Sequence, residues 1–151
     1  MLRLIYLLYR LFQFVFRPIT LGVRVMMVKD GQVLLIRHTY MDRGSWYLPG
    51  GGLRRGETVE TAARREIREE AGAEAGAFSL VGIYSKFDDL KSDHNVVFLC
   101  NDFSLGGQPD SEIAELRFFP LDALPDTLCP GHRQRIEEYA AGKTSPAFGN
   151  W

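Results

Sequence analysis

Glu66, Glu69 and Glu70 are the residues of this 151-residue chain whose types and spacing most directly suggest chemistry. On an α-helix, these three side chains fall within a sector of about 100°. Three carboxylates so close together repel one another unless a cation offsets their charge. Oxygen ligands suit Mg²⁺ or Mn²⁺, and no histidine or cysteine stands nearby to favour zinc. The spacing indicates either a divalent metal site or a solvated charged face paired with neighbouring arginines.

The helix that carries these glutamates is predicted over residues 58–71. Thr58 suits its N-cap and Gly72 its C-terminal cap. The predicted apolar face consists of Ala63, Ile67 and Ala71, and the predicted outward sector contains Arg64, Arg65 and Arg68. Glu66 and Glu70 stand at the edge of the apolar face, so we expect them to approach the body of the domain. This placement favours a metal-binding cleft over a solvated face.

A glycine turn precedes the helix and would lie beside the carboxylates. Gly50, Gly51 and Gly52 follow Pro49 directly. Glycines allow close backbone approach and positive φ angles, so such a turn can offer carbonyl groups to a metal or N–H groups to an anion. A Walker-type phosphate loop is excluded because no Gly-Lys-Ser/Thr follows these glycines.

The segment from Gly51 to Ala73 resembles the Nudix box, G-x5-E-x7-R-E-U-x-E-E-x-G-U. All its fixed positions are matched, by Gly51, Glu57, Arg65, Glu66, Glu69, Glu70 and Gly72. Ile67 fills the first aliphatic position, whereas Ala73 fills the last with a smaller residue than usual. The preceding Trp-Tyr-Leu-Pro-Gly-Gly and the segment that starts at Glu115 extend the resemblance over about residues 20–140.

The resemblance implies an α/β fold class, namely the Nudix fold, in which an α/β/α sandwich surrounds a mixed sheet. It also implies hydrolysis of a nucleoside diphosphate linked to another group. Glu66, Glu69 and Glu70 would bind Mg²⁺, or Mn²⁺ in its place, together with the carbonyl of Gly50 or Gly51. Glu57 would pair with Arg65 and hold the turn against the helix.

The remaining site residues are less specified by the resemblance. A box glutamate is one candidate for the general base, and a downstream acid is the other. Glu112 is preferred to Asp110 and Glu115, and Asp88 and Asp89 are less favoured. Residues proposed to bind the nucleobase or sugar are Arg37, Tyr40 and Trp46. No subfamily marker names the substrate. The alternative function is a catalytically silent domain that senses a ligand or acts as an interaction module at a membrane surface, although ligand-sensing domains of this family often lose box glutamates.

Short β-rich runs surround the helix. Strands are predicted over residues 21–28, 32–37, 46–48, 78–87, 96–103 and 113–119, with a closing helix over 131–140. Asp30-Gly31 predicts a hairpin between the first two strands. A single Nudix domain is therefore expected over residues 18–141, followed by an irregular tail over 142–151.

Residues 1–17 lie outside the resemblance and predict a separate apolar helix. Arg3, Arg10 and Arg17 form one basic stripe at seven-residue spacing. The run is too short, and too interrupted by Arg10, for a comfortable membrane span of about 20 apolar residues. Packing on its own domain or in a homodimer is the favoured role, and peripheral contact with a membrane surface is the other.

Composition excludes several classes of protein. With 46% hydrophobic and 25% charged residues, the chain is typical of a globular domain. A net charge of −1 argues against general nucleic-acid binding, which needs an excess of Lys and Arg. Two cysteines cannot form a disulfide framework, which favours a reducing compartment. A cytoplasmic enzyme is expected, with membrane association only at its periphery.

Overall fold

The computed structural model describes residues 8, 11, 14–15, 18–41, 44–87, 91–143 and 145–151. From residue 18 onward, the described chain forms β1 (Ile19–Lys29), β2 (Gln32–His38), α1 (Val59–Ala71), β3 (Ala73–Ala75), β4 (Ser79–Phe87), β5 (Ser92–Cys100), β6 (Phe103–Leu105), β7 (Ile113–Pro120), α2 (Pro130–Ala140) and β8 (Ala147–Asn150).

The main sheet is mixed and has the strand order β7-β2-β1-β5-β4-β8. β1 runs parallel to β5, and β4 runs parallel to β8. The other neighbours in this sheet are antiparallel. β3 and β6 form a separate antiparallel ribbon. Since β1 pairs with both β2 and β5, its side chains lie at the centre of the sheet.

Successive β1 side chains point to opposite faces of the sheet and enter two different cores. The core on one face contains Val23, Val25 and Met27 of β1 with Ala62, Ala63 and Ile67 of α1. The core on the other face contains Met26 and Val28 of β1 with Trp46, Leu48 and Ile136, the last from α2. One helix therefore covers each face, which confirms the expected α/β/α sandwich around a mixed sheet.

Local sequence signals explain the hairpin and α1. Asp30 and Gly31 both have positive φ angles, of 51° and 72°, as a two-residue type I′ turn requires. The Thr58 hydroxyl accepts a hydrogen bond from the N–H of Thr61, which caps the start of α1. Gly72 ends the helix in the left-handed conformation at φ 59°. These features confirm the predicted hairpin and both helix caps.

The prediction of a strand over residues 96–103 is wrong at both ends. β5 begins earlier, at Ser92, because its polar first residues pair with β1 and β4. It ends at Cys100, since the polar pair Asn101-Asp102 interrupts the ladder before β6 begins at Phe103. The short ribbon of β3 and β6 was not predicted at all.

The predicted irregular tail also contains regular structure. β8 adds a parallel strand to the exposed edge of β4, with Gly82 opposite Ala147 and Ser85 opposite Asn150. All four β8 residues are exposed, so the strand has no alternating apolar pattern that the sequence could display. β8 forms instead because it pairs with β4, which lies more than 60 residues earlier in the chain.

The expected helix over residues 1–17 lies largely outside the described residues, and so do the contacts proposed for it with a partner subunit or a membrane. Asp88 and Asp89, the less favoured candidates for the general base, lie outside them as well. No helix in the described part of the chain is long and apolar enough to cross a membrane.

Candidate active site

α1 brings Glu66, Glu69 and Glu70 to one cavity of about 330 Å³, called here the carboxylate cavity. Ala63 and Ile67 are completely buried in the core, which fixes the rotation of the helix about its axis. Glu66 is only 8% exposed as a result, and Glu70 lies against the glycine turn. The expected approach of these glutamates to the body of the domain is what the structure shows.

The glycine turn is fixed between β1 and α1. On the β1 side, the N–H of Val23 donates to the carbonyl of Gly51 at 2.9 Å. On the α1 side, the N–H of Gly50 donates to Glu70 Oε2 at 2.7 Å. A Cβ atom on Gly51 would lie 2.6 Å from Glu66 Oε1, so only glycine permits this approach. The turn therefore sets the position of two of the three carboxylates.

Arg65 contacts three acidic side chains beside the carboxylate cavity and offsets their charge. Its guanidinium donates to Glu57 at 2.6 Å and to Glu69 at 3.1 Å, and it also contacts Glu66. The side chain is 14% exposed, so the prediction that Arg65 faces outward is wrong. The pairing with Glu57 that the resemblance implied is present, and it joins the turn to the helix.

The donor chemistry of the cavity suits a hard divalent cation, but Arg65 now holds two of the three carboxylates. In the described part of the chain, no three carboxylate, imidazole or thiolate groups already stand close enough to hold one ion. Glu66 and Glu69 both contact Arg65, which explains this. A cation would have to compete with the guanidinium for these oxygens, and the Gly51 carbonyl would have one lone pair left for it.

Glu70 has an unusual electrostatic environment. Its pKa is raised to about 8, because burial disfavours the charged form and outweighs the hydrogen bond from the Gly50 N–H. The Glu66 carboxylate raises it further. His38 Nε2 lies 3.7 Å from Glu70 Oε1, and burial and the Arg24 charge lower the pKa of His38. Without a cation, Glu70 is therefore largely protonated at neutral pH and faces a neutral imidazole.

The pKa of Glu57 is shifted in the opposite direction, and we expect this lowered pKa to make the fold less stable in acid. The hydrogen bond from Arg65, followed by that from the Arg54 N–H, lowers the pKa of Glu57 to about 2. A carboxyl group whose folded pKa is depressed stabilises the fold above its unfolded pKa, near 4.5, and loses that effect as the pH falls through about 2. Glu57→Gln should therefore flatten the pH dependence of the unfolding free energy between about pH 4.5 and 2.

Urea unfolding at several pH values checks this expectation. Glu60→Gln is the matched control, since it removes a carboxylate that is 59% exposed in the first turn of the same helix. An unchanged slope in Glu57→Gln would contradict the assignment of the acid-sensitive contact to the Glu57–Arg65 pair.

A second cavity, of about 410 Å³, adjoins the first and is called here the basic cavity. The two share lining residues, namely Arg24, Met41, Tyr47, Gly51, Gly52 and His132. Arg24 points from β1 into this junction, and its Nε atom is buried without a hydrogen-bond partner among the described groups. Burial lowers the pKa of Arg24, and the charges of Glu70 and Glu66 partly oppose this effect. The guanidinium stays charged, so a cation stands between the two cavities.

Two of the residues expected to bind substrate do not reach either cavity. Trp46 is 2% exposed and belongs to the core on the α2 face, which corrects its assignment to the nucleobase. The Arg37 guanidinium stacks 4.2 Å from the centroid of that tryptophan ring and pairs with Glu115, so Arg37 is also withdrawn. Tyr40 and Glu112, by contrast, both line the carboxylate cavity.

Sequence reasoning missed Arg24, His38, Tyr47 and His132, all of which line the carboxylate cavity. His132 also has a structural contact, because its Nδ1 atom accepts the Leu48 N–H at 3.0 Å. A signal for Arg24 was nevertheless present, because it is a lone cation inside the apolar run Val-Arg-Val-Met-Met-Val. A charged residue at the centre of a sheet needs a partner or a ligand.

Comparisons with known proteins show what this chain is similar to. The NUDIX domain family matches residues 18–139. An ADP-ribose pyrophosphatase of Methanocaldococcus jannaschii is 38% identical over 120 residues, which are 76% of this chain and 69% of that protein. A human 8-oxo-dGDP phosphatase is 31% identical over 124 residues, 78% of this chain but only 37% of that protein.

A solved structure is also similar to this chain. The crystal structure of a MutT NUDIX hydrolase from Burkholderia pseudomallei has a TM-score of 0.72 and 30% sequence identity, over 80% of this chain and 97% of that one. Residues 18–139, which match the family, contain α1, the glycine turn and the residues that line the carboxylate cavity. This chain belongs to the Nudix hydrolase family.

Proposed function

We propose that this protein hydrolyses the diphosphate linkage of a nucleoside diphosphate derivative with the help of Mg²⁺ or Mn²⁺. The proposal rests on one observation. Three carboxylates and a cavity lined by basic side chains lie around the same glycine turn. Glu66, Glu69 and Glu70 would hold the metal, with the Gly51 carbonyl beside them. Relatives that act on ADP-ribose and on 8-oxo-dGDP support the substrate class.

The bound metal would neutralise the diphosphate oxygens and lower the pKa of a water molecule. The residues of the chain account for the rest of the chemistry. Arg24, at the junction of the two cavities, would bind a phosphoryl oxygen of the substrate. Its buried charge is fixed before substrate arrives, so little reorganisation is needed.

Glu112 is the proposed general base. The carbonyl of Glu112 accepts the N–H of Thr39 at 2.8 Å, and the N–H of Asp110 donates to the carbonyl of Glu69 at 2.7 Å. These bonds hold the loop before β7 against both β2 and α1, with Glu112 at the carboxylate cavity. Its carboxylate could take the proton of an attacking water, and one of the three α1 glutamates is the alternative base.

A panel of nucleoside diphosphate derivatives tests the proposed function. We expect Mg²⁺-dependent release of a nucleoside monophosphate from at least one member, measured by anion-exchange chromatography, and no release in excess EDTA. Hydrolysis in ¹⁸O-labelled water, followed by mass spectrometry of the products, identifies which phosphorus is attacked. Ligand binding without hydrolysis across the whole panel would instead establish the silent, ligand-sensing alternative.

A further inference from the structure

The C-terminal strand is fastened to the body of the domain by a buried arginine. Arg135 of α2 is 2% exposed, and its Nη1 atom donates to the carbonyl of Asn150 at 3.0 Å. The same guanidinium lies 3.9 Å from the centroid of the Tyr84 ring on β4. The N–H of Trp151 then donates to the carbonyl of Ser85 at 2.9 Å, which extends the β8 pairing by one residue. Trp151 is thereby held in one place.

Trp151 lies against the start of α2 and beside the basic cavity. A Cβ atom on Gly131 would come within 2.7 Å of the indole Nε1, so the ring occupies space that only glycine leaves open. The ring meets His132 edge to face, with 4.8 Å between centroids and 79° between planes. Trp151 lines the basic cavity, whereas His132 lines both cavities. Trp151 therefore reaches the region next to the carboxylate cavity.

The basic cavity combines an aromatic ring, an amide and cations. Asn95 of β5 is 8% exposed and lines it, and so do Lys86 and Arg24. An amide can both donate to and accept from the edge of a nucleobase. An indole ring offers a flat surface on which any base can stack. A volume of about 410 Å³ is within the range of small-molecule sites.

We propose that Trp151 is a substrate-contact residue whose indole stacks on the nucleobase, with Asn95 facing the edge of that base. Arg135 is then a positioning residue, because it holds the strand that carries the indole. This inference rests on the proposed function for the identity of the substrate, and it adds the C-terminal strand to the site. A tryptophan that merely fastens the tail would pack on Gly131 and His132 without contacting substrate.

Binding to the intact chain tests the stacking without relying on catalysis. The chain has two tryptophans, and the other one, Trp46, is buried in the core. Titration with AMP, GMP, CMP and UMP in EDTA should quench tryptophan fluorescence with at least one of them. Ribose 5-phosphate, which lacks a base, should cause no quenching. Trp151→Phe should abolish the quenching, since only Trp46 then remains to report.

Steady-state kinetics test the same contact on the substrate that the panel identifies. Trp151→Ala should raise KM by roughly 5- to 100-fold with a much smaller change in kcat. Trp151→Phe keeps an aromatic ring at this position, so its KM should be close to that of the wild type. Phe148→Ala is the matched control, because this β8 ring is 88% exposed and does not line the basic cavity. It should leave KM and kcat unchanged.

The two proposals fail in distinguishable ways. In one outcome, a nucleotide quenches the fluorescence of the wild type but not of Trp151→Phe, and no substrate is hydrolysed. This outcome would retain the stacking and overturn the enzymatic function. Hydrolysis with wild-type KM in Trp151→Ala would overturn the stacking and retain the enzymatic function. Equal weakening of nucleotide and ribose 5-phosphate binding in Trp151→Ala, measured by isothermal titration calorimetry, would also overturn the stacking, because that pattern indicates a general structural role.

Discussion

Glu70→Gln should lower kcat by roughly 10²- to 10⁴-fold while leaving the metal-free fold intact. The carboxyl group, with its pKa raised to about 8, is largely protonated at neutral pH without a cation, and glutamine resembles that neutral form. The amide oxygen can still accept the Gly50 N–H, now donated to Oε2 at 2.7 Å. What the variant loses is the negative charge that a divalent cation would attract, and with it any ability to accept a proton.

Two measurements separate catalysis from folding in this variant. Melting in EDTA should give a Tm within about 2 °C of the wild type, because the side-chain volume and the Gly50 hydrogen bond are kept. Saturating Mg²⁺ should raise the Tm of the wild type and have a smaller effect on Glu70→Gln. Glu74→Gln is the matched control, since Glu74 is 65% exposed and pairs with Arg68 away from the cavity. Full activity in Glu70→Gln would exclude Glu70 from the reaction.

The parts of the site that could be predicted are local in sequence. Three glutamates lie within one helical turn and a half, two of them at the edge of the apolar face formed by Ala63 and Ile67, and this spacing indicates that those two approach the body of the domain. Three glycines directly before the helix indicate the close approach of backbone to carboxylate. The structure places the three glutamates and the three glycines in one cavity. Short-range geometry was sufficient for these groups, but it was not sufficient for Arg65, which is only 14% exposed.

The parts that could not be predicted depend on contacts between distant segments. Trp46 and Tyr47 are neighbours, yet Trp46 enters the core while Tyr47 lines the cavity. Their alternation is fixed by isolated bridges, from Trp46 to Leu128 and from Tyr47 to Ile36. Nothing in the local pattern indicates which of two adjacent aromatic residues enters the core, so the sequence could not exclude Trp46 as a substrate contact.

The same reasoning applies to the C-terminal segment. β8 is exposed along its whole length and is held by Arg135 and by the edge of β4. A buried arginine on α2 has no local signature, because its partners are a carbonyl group 15 residues later and a ring on another strand. Tertiary contacts thus override the absence of strand propensity in this segment.

Gly50→Ala should be the most destabilising single methyl addition in the glycine turn. Gly50 has a φ of +144°, which L side chains rarely adopt, and its Cβ would lie 2.1 Å from the carbonyl oxygen of Val23 and 2.9 Å from the Cα of Arg24. Both of these are backbone atoms in the central strand. We expect a loss of about 3 kcal/mol or more in unfolding free energy, which corresponds to a fall in Tm of about 6–12 °C.

The turn cannot relieve this overlap by moving away, because it is held on both sides. The Val23 and Val25 N–H groups donate to the carbonyls of Gly51 and Pro49, while the Gly50 N–H donates to Glu70. Any shift that admits the methyl group would break at least one of these bonds and displace a carboxylate, so activity should fall with stability. Gly52→Ala is the control, since its Cβ meets nothing within 4 Å, and it should change stability by less than about 0.5 kcal/mol. Equal Tm values for the two variants, measured by differential scanning fluorimetry, would show that the turn is free to move and does not fix the site.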